Sequence, residues 1–351
     1  MSLKKEAITL LKQLVAIPAF SGEESRRTAV LEDFFRKKGI PFTRKNNNIL
    51  ARAAHWSNLK PTLLLNSHID TVRPVHGWKR DPFKPVVESG KLYGLGSNDA
   101  GGALVSLIAV FLHFYEQTDR PFNLILAATG EEENSGKNGI ASILDDLGNI
   151  DLGIVGEPTQ MNMAIAEKGL MVVDGCAVGR AGHAARDEGQ NAIYIALEDI
   201  AWIQNHDFPK SSKHLGKVKM TVTQISAGTQ HNVVPDQCHF VVDVRSNEAY
   251  SNREIFEIMR QNCRSDLKAR SFRLNASGID PEHPVVRRAR ALNLHLFGSA
   301  TLSDQALLHF PTVKIGPGDS ARSHTADEFI RISEIEQGID CYIQLLEGLK
   351  L

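Results

Sequence analysis

Apolar and polar positions alternate in two styles along this chain. Up to Glu167, short apolar runs end in polar residues and are separated by helical patterns. "TLLLNSHID" (Thr62–Asp70), "FNLILAATG" (Phe122–Gly130) and "LGIVGEPT" (Leu152–Thr159) predict buried strands. Between the first two, "GGALVSLIAVFLHFYEQ" sets Leu104, Leu107, Ile108, Phe111, Leu112 and Tyr115 on one face, which predicts an amphipathic helix. The N-terminal "MSLKKEAITLLKQLVAIPAF" begins like a signal peptide, but Glu6, Lys12 and Gln13 interrupt it. Its apolar residues Ile8, Leu11, Leu14 and Val15 fall at helical spacing, so it reads as the first helix of the mature fold. Strand–helix alternation of this kind predicts a mostly parallel sheet flanked by helices.

From Lys168 the style changes. "KGLMVVDGCAVG" reads as a strand, "NAIYIALEDIAWIQNH" as a helix, and "KVKMTVTQIS" and "CHFVVDVRS" as strands. "NREIFEIMRQNC" is a helix and "RSFRLNA" a last strand. That β-α-β-β-α-β order is ferredoxin-like. After "SGIDPEHP" the first style returns, with a strand at "PTVKIG" and a closing helix at "SEIEQGIDCYIQLLEGL", where Ser333 and Glu336 are spaced as a capping box. The expected architecture is α/β: one domain from residues 1–167 and 277–351, with a second domain, 168–276, inserted into it.

Composition narrows the function classes. Of 351 residues 42% are hydrophobic and 23% charged, and the net charge is -1, so neither a nucleic-acid partner nor a membrane surface is expected. No apolar run reaches the roughly 18 residues of a membrane span. Cys176, Cys238, Cys263 and Cys341 are scattered without a CxxC pair. That argues against thiolate-held zinc and a disulfide framework, and fits a reducing, cytoplasmic compartment.

The chemistry gathers at the predicted strand ends, where open α/β sheets bind ligands. His68 and Asp70 lie in "SHID", Glu131 and Glu132 in "GEEE" and Glu157 in "GEPT". Asp99 precedes the apolar helix, and His324 follows the last strand. Carboxylates crowded together need a cation, and no lysine or arginine lies within these motifs. Two histidines beside them favour zinc, cobalt or manganese over magnesium or calcium. Five candidate ligands exceed one tetrahedral ion, and two ions about 3.5–4 Å apart would use them all. Asp70 is spaced to hold the second ring nitrogen of His68. Neighbours in an extended chain point opposite ways, so Glu131 and Glu132 are expected to differ in role, one of them free to carry a proton.

These motifs resemble the dinuclear zinc amidohydrolases that include acetylornithine deacetylase, succinyl-diaminopimelate desuccinylase, aminoacylase and glutamate-releasing carboxypeptidases (metallopeptidase clan MH). "SHIDTV", "GWKRDPFKP", "GKLYGLGSNDAGG", "EEE", "GEPT", "EKG", "GHAARDEGQNAI", "HNVVPDQCHFVVDVR" and "SHTADEF" occur in that family's order and span essentially the whole chain. The resemblance implies a zinc-peptidase-like catalytic domain and an inserted lid that forms a homodimer. It implies two Zn2+ ions, replaceable by Co2+ or Mn2+: His68, Asp99 and Glu157 on one, Asp99, Glu132 and His324 on the other. It implies Glu131 as general base and acid, and Asp70 orienting His68. His183 would act on a neighbouring subunit's site, Asn232 and Arg245 would bind substrate, and the loop carrying Gly316 and Gly318 would grip substrate backbone.

The substrate class so implied is a small N-acyl amino acid, hydrolysed to a carboxylate and a free amine. N-acetylornithine in arginine biosynthesis is the leading expectation. Acetylcitrulline, succinylornithine and a dipeptide remain open, as does a metal-binding protein without catalysis. Ala100-Gly101-Gly102 replaces the family's common Met-Lys-Gly, and the register of the glutamates rests on counting back from Gly136.

Overall fold

The structure, a computed structural model, describes residues 2–186 and 188–351. The chain forms two compact units. The first contains Met1–Ile165, Ile279–Phe297 and Ser303–Leu351; the second contains Ala166–Gly278 and the short piece Gly298–Leu302.

The first unit is built on a mostly parallel sheet. Its strands run in the order Phe42–Lys45, Asn48–Arg52, Asn123–Thr129, Thr62–His68, Leu152–Val155, Thr312–Lys314, Met163–Glu167. Thr62–His68 pairs in parallel with both Asn123–Thr129 and Leu152–Val155, and Thr312–Lys314 pairs in parallel with Leu152–Val155. Every residue of these four strands is buried, as expected where both sheet faces are covered. Their carboxyl ends therefore lie on one edge, and in register: His68 faces Thr129 across the ladder.

The helix Gly102–Phe114 departs from the predicted amphipathic form. Leu104, Val105, Leu107, Ile108, Ala109, Val110 and Phe111 are all buried, while Leu112 is only partly so. It is a core helix, packed against the sheet on one side and against Leu3–Val15 and Ile332–Leu346 on the other. The span Ser97–Phe114, 18 residues with mean hydropathy 1.3, is apolar enough to cross a bilayer, but 78% of it is buried inside this fold. Packing in the core accounts for its hydropathy. The closing helix, Ile332–Leu346, is also capped differently from the prediction. Glu334 accepts the Arg331 amide at 2.8 Å, and Ser333 and Glu336 lie within the helix, because the strand Phe329–Arg331 runs straight into it.

The second unit carries a four-stranded antiparallel sheet in the order Lys219–Ala227, Gln237–Arg245, Met171–Val178, Asp266–Ala269, with the helices Ala192–Asn205 and Asn252–Asn262. This is the ferredoxin-like arrangement. The last strand is Asp266–Ala269, not the predicted "RSFRLNA". Leu267 pairs with Gly175, and of the predicted segment only Arg270 continues the ladder, its amide donating to the Val172 carbonyl at 2.9 Å.

Candidate metal centre

His68 is the final residue of its strand and is 2% exposed. Its Nδ1 lies 3.0 Å from the Asp70 carbonyl and 3.5 Å from Asp70 Oδ1, which turns Nε2 into the edge of the sheet. There Nε2 meets Asp99 Oδ1 at 3.3 Å and Glu157 Oε1 at 3.7 Å. The other oxygen of Asp99, Oδ2, is 3.7 Å from His324 Nε2, which is itself 3.0 Å from Glu133 Oε2. Two donor sets thus share Asp99, one oxygen facing each histidine. Donor atoms of His68, Asp99 and Glu133 lie within 4.8 Å of one another, as do those of His68, Glu132 and Glu157. All six residues belong to the first unit.

Three backbone turns bring these side chains together, and two buried carboxylates hold the turns. Asp70 accepts the amides of Glu132 and Glu133, each at 3.1 Å, and the Ser21 hydroxyl at 2.7 Å. Glu328 accepts the amides of Gly96, Asn98 and Asp99 at 2.9, 2.8 and 3.0 Å. Glu157 leaves its strand beside Gly316, where any Cβ would meet the Glu157 carbonyl at 2.4 Å. Gly318, at φ +93°, lies against Asn98, whose side chain also bonds the Asp319 backbone in both directions. These glycines are needed for close backbone approach beneath Glu157 and Asp99.

The structure does not bring Glu131 to the cluster. Its strand ends at Thr129, and Glu131 adopts a left-handed φ of 55°. The alternation expected of an extended chain stops there. Its carboxylate accepts the Asn138 amide at 3.0 Å and the Asn138 side chain at 2.9 Å, so it closes its own loop. Glu133, for which the motifs offered no role, stands beside His324 instead. Sequence reading also missed Glu328, although it lies inside the quoted "SHTADEF", and Arg27. Two buried cations arrive from outside these motifs: Arg27 faces Asp70, and Lys314 faces Glu157.

The electrostatics describe a site short of positive charge. Burial pushes Glu157 up to about 8, with Asp99 and Glu133 adding to it. Burial likewise raises Glu132 well above the carboxylate range, helped by Glu157, Asp304 and Glu133 and opposed by His68. Burial alone would lower His68, but its bonds to Asp70 and Asp99 raise it well above 6.5. The bond to Glu133 lifts His324 to about 9. Two imidazoles and four carboxylates fit a pair of divalent transition-metal ions.

In the second unit, His183 and Asn232 lie on adjacent strand ends. His183 pairs with Val233, and the Ala184 amide donates to the Asn232 carbonyl at 3.0 Å. Both side chains are exposed. Arg245 forks onto Asp243 at 2.8 and 3.1 Å.

The sequence model of peptidase family M20/M25/M40 matches residues 64–348. The chain belongs to that family. It is 27% identical to the succinyl-diaminopimelate desuccinylase of Paracoccus denitrificans over 374 aligned residues, 96% of this chain and 97% of that one. A desuccinylase of the same name from Cereibacter sphaeroides is 27% identical over 273 residues, 73% of this chain and 72% of that one. Among solved structures, aminopeptidase PepT from Bacillus cereus superimposes with a TM-score of 0.79 at 18% identity, covering 99% of this chain and 98% of that one. The Bacillus subtilis YxeP protein, described as a dinuclear metal-binding peptidase from the M20 family, gives 0.74 at 14% identity, with coverage of 99% and 98%. This M20 chain is a metal-dependent amide hydrolase, and its fold is that of the family's peptidases.

Proposed function

We propose that the protein hydrolyses the amide bond of a small N-acyl amino acid, using two divalent metal ions, with zinc the leading candidate. The observation that carries this reading is the pair of donor sets sharing Asp99. His68, Asp99 and Glu157 would hold one ion, and Asp99, Glu133 and His324 the other. The ions would activate water and polarise the amide carbonyl. Glu132 is the remaining cluster carboxylate and is taken as the proton carrier, from water to the departing amine. Asp70 orients His68 through its second ring nitrogen. In the inserted unit, His183 is proposed to stabilise developing negative charge, and Asn232 and Arg245 to bind substrate. His183 would do so from a neighbouring copy in a homodimer.

The curated relatives, both named for succinyl-diaminopimelate, support an N-succinyl diamino acid over the N-acetylornithine expected at first, and give no support to a role in arginine biosynthesis. A second observation agrees with an anionic acyl group. Lys219 sits opposite Arg245 in the ladder, and Lys168, lowered by burial, also feels both of their charges. Against these cations, Asp243 is the carboxylate bonded to Arg245.

A hydrolysis panel with added zinc tests the reading. It should contain N-succinyl and N-acetyl forms of diaminopimelate, ornithine and lysine, together with di- and tripeptides. Faster release from the succinyl compounds is expected. Faster cleavage of peptides would replace the proposal with a peptidase, and no turnover of any amide would sink it.

A further inference from the structure

Arg27 is a buried arginine, 4% exposed, in the helix Ser25–Lys37. Its guanidinium donates to the Ile69 carbonyl at 2.7 Å and to the Ile17 carbonyl at 3.2 and 2.7 Å. All of those bonds go to neutral backbone. Burying a guanidinium costs free energy that bonds to carbonyls only partly offset. The remainder is supplied through space by three carboxylates that face it: Asp70, Glu328 and Glu24.

Each of those carboxylates has a defined task. Asp70 holds the amides of Glu132 and Glu133. Glu328 holds those of Gly96, Asn98 and Asp99. Glu24 holds those of Gly22 and Glu131 at 2.7 and 3.0 Å. The peptide that Arg27 grips at Ile69 lies between His68 and Asp70. One cation therefore stands beneath every turn that delivers a donor from the 68, 99 and 132–133 segments. A neutral residue here would remove the cation that Asp70, Glu328 and Glu24 face and the grip on the Ile69 carbonyl.

We propose that Arg27 is a positioning residue of the metal centre: its guanidinium grips the peptide between His68 and Asp70 and stands beside Gly96, whose amide Glu328 holds, and so fixes the donors of His68, Asp99, Glu132 and Glu133. Its planar fork reaches carbonyls from two separate segments, which a lysine ammonium does less well. This inference rests on the metal-hydrolase reading.

The test uses the full chain with Co2+ as the probe. Arg27→Gln is expected to weaken Co2+ binding at least about tenfold by calorimetry, the scale of lost outer-shell partners. It should also shift the visible Co2+ absorption, because the donor geometry moves. Arg27→Lys, which restores the charge, should recover most of the affinity. Affinity and spectrum unchanged in Arg27→Gln overturn the proposal, as does an Arg27→Lys variant no better than Arg27→Gln. Where Arg27→Gln does not fold, Arg27→Gln/Glu328→Gln decides. That double variant loses the cation together with one of its partner charges, and is expected to fold and to melt above the single variant. A double variant that is no better also overturns the proposal. If the unaltered protein binds no Co2+, the metal reading fails on its own. The Arg27–Glu328 coupling is then still read from the melting temperatures.

Discussion

The Glu133 amide donates to Asp70 Oδ2 at 3.1 Å, one residue along from the Glu132 amide on Oδ1. This pairing fixes the register of the glutamate run. With both following amides turned onto one buried carboxylate, the side chains of Glu132 and Glu133 face the donor cluster, and Glu131 is left on the far side of the turn.

The register can be tested by three substitutions. Glu133→Ala should lose bound metal, read as metal content after dialysis. Glu132→Ala should retain metal while kcat falls by about 10²–10⁴, the range for a lost proton-transfer group. Glu131→Ala should keep turnover within about tenfold but lower stability by about 1–3 kcal/mol, because the Asn138 amides lose their acceptor. Metal loss in Glu132→Ala with full retention in Glu133→Ala would restore the register expected from the sequence.

Asp70→Asn keeps the shape of the side chain but places an NH2 group where an acceptor is needed. Metal affinity or activity should drop about 10- to 100-fold, measured by competition with a chelator. An unchanged chelator midpoint would show that His68 needs no such partner.

Asp304 predicts a pH effect. It is 4% exposed and accepts the Thr129 hydroxyl at 2.9 Å, and burial pushes it up to about 6. A carboxyl raised in the folded state binds its proton more tightly there than when unfolded. Its stabilising contribution is complete below its unfolded value of 3.8 and is lost as pH rises to about 6. Asp304→Asn removes that loss. The variant should therefore gain about 1–3 kcal/mol on the parent between pH 4 and pH 8 in denaturant titrations. Parallel stability curves for the two proteins would contradict this.

Gly316→Ala inserts a methyl group into the Glu157 carbonyl. A loss of about 1–3 kcal/mol is expected from overpacking, read by thermal melting, together with weaker metal binding because Glu157 is displaced. A variant with unaltered melting temperature and metal affinity would show that the loop yields freely.

Much of this was legible in the residues. His68 and Glu157 were read as candidates because a parallel strand must be a continuous buried run and the polar residues after such runs share one edge, Asp99 because it precedes the apolar helix, and His324 because it follows the last strand. The β-α-β-β-α-β order of the inserted unit was legible because its periodicities switch cleanly between two and 3.6. The Gly102–Phe114 helix was read as half-exposed, since periodicity does not reveal how many neighbours will cover it. "RSFRLNA" has strand-like residues, yet the strand that pairs with Met171–Val178 is Asp266–Ala269.

The sequence by itself determined the donor types, their order and the edge on which they meet, because these follow from local patterning. Tertiary structure alone decided which two of three identical glutamates face the cluster. That choice depends on the left-handed turn at Glu131 and on Asp70, sixty-two residues from Glu132, accepting two amides. It also decided that Arg27 and Glu328 stand beneath the site. Arg27 is distant in sequence from every donor and Glu328 from the Asp99 turn it holds, and a buried charge is specified by the partners that surround it rather than by its neighbours in the chain.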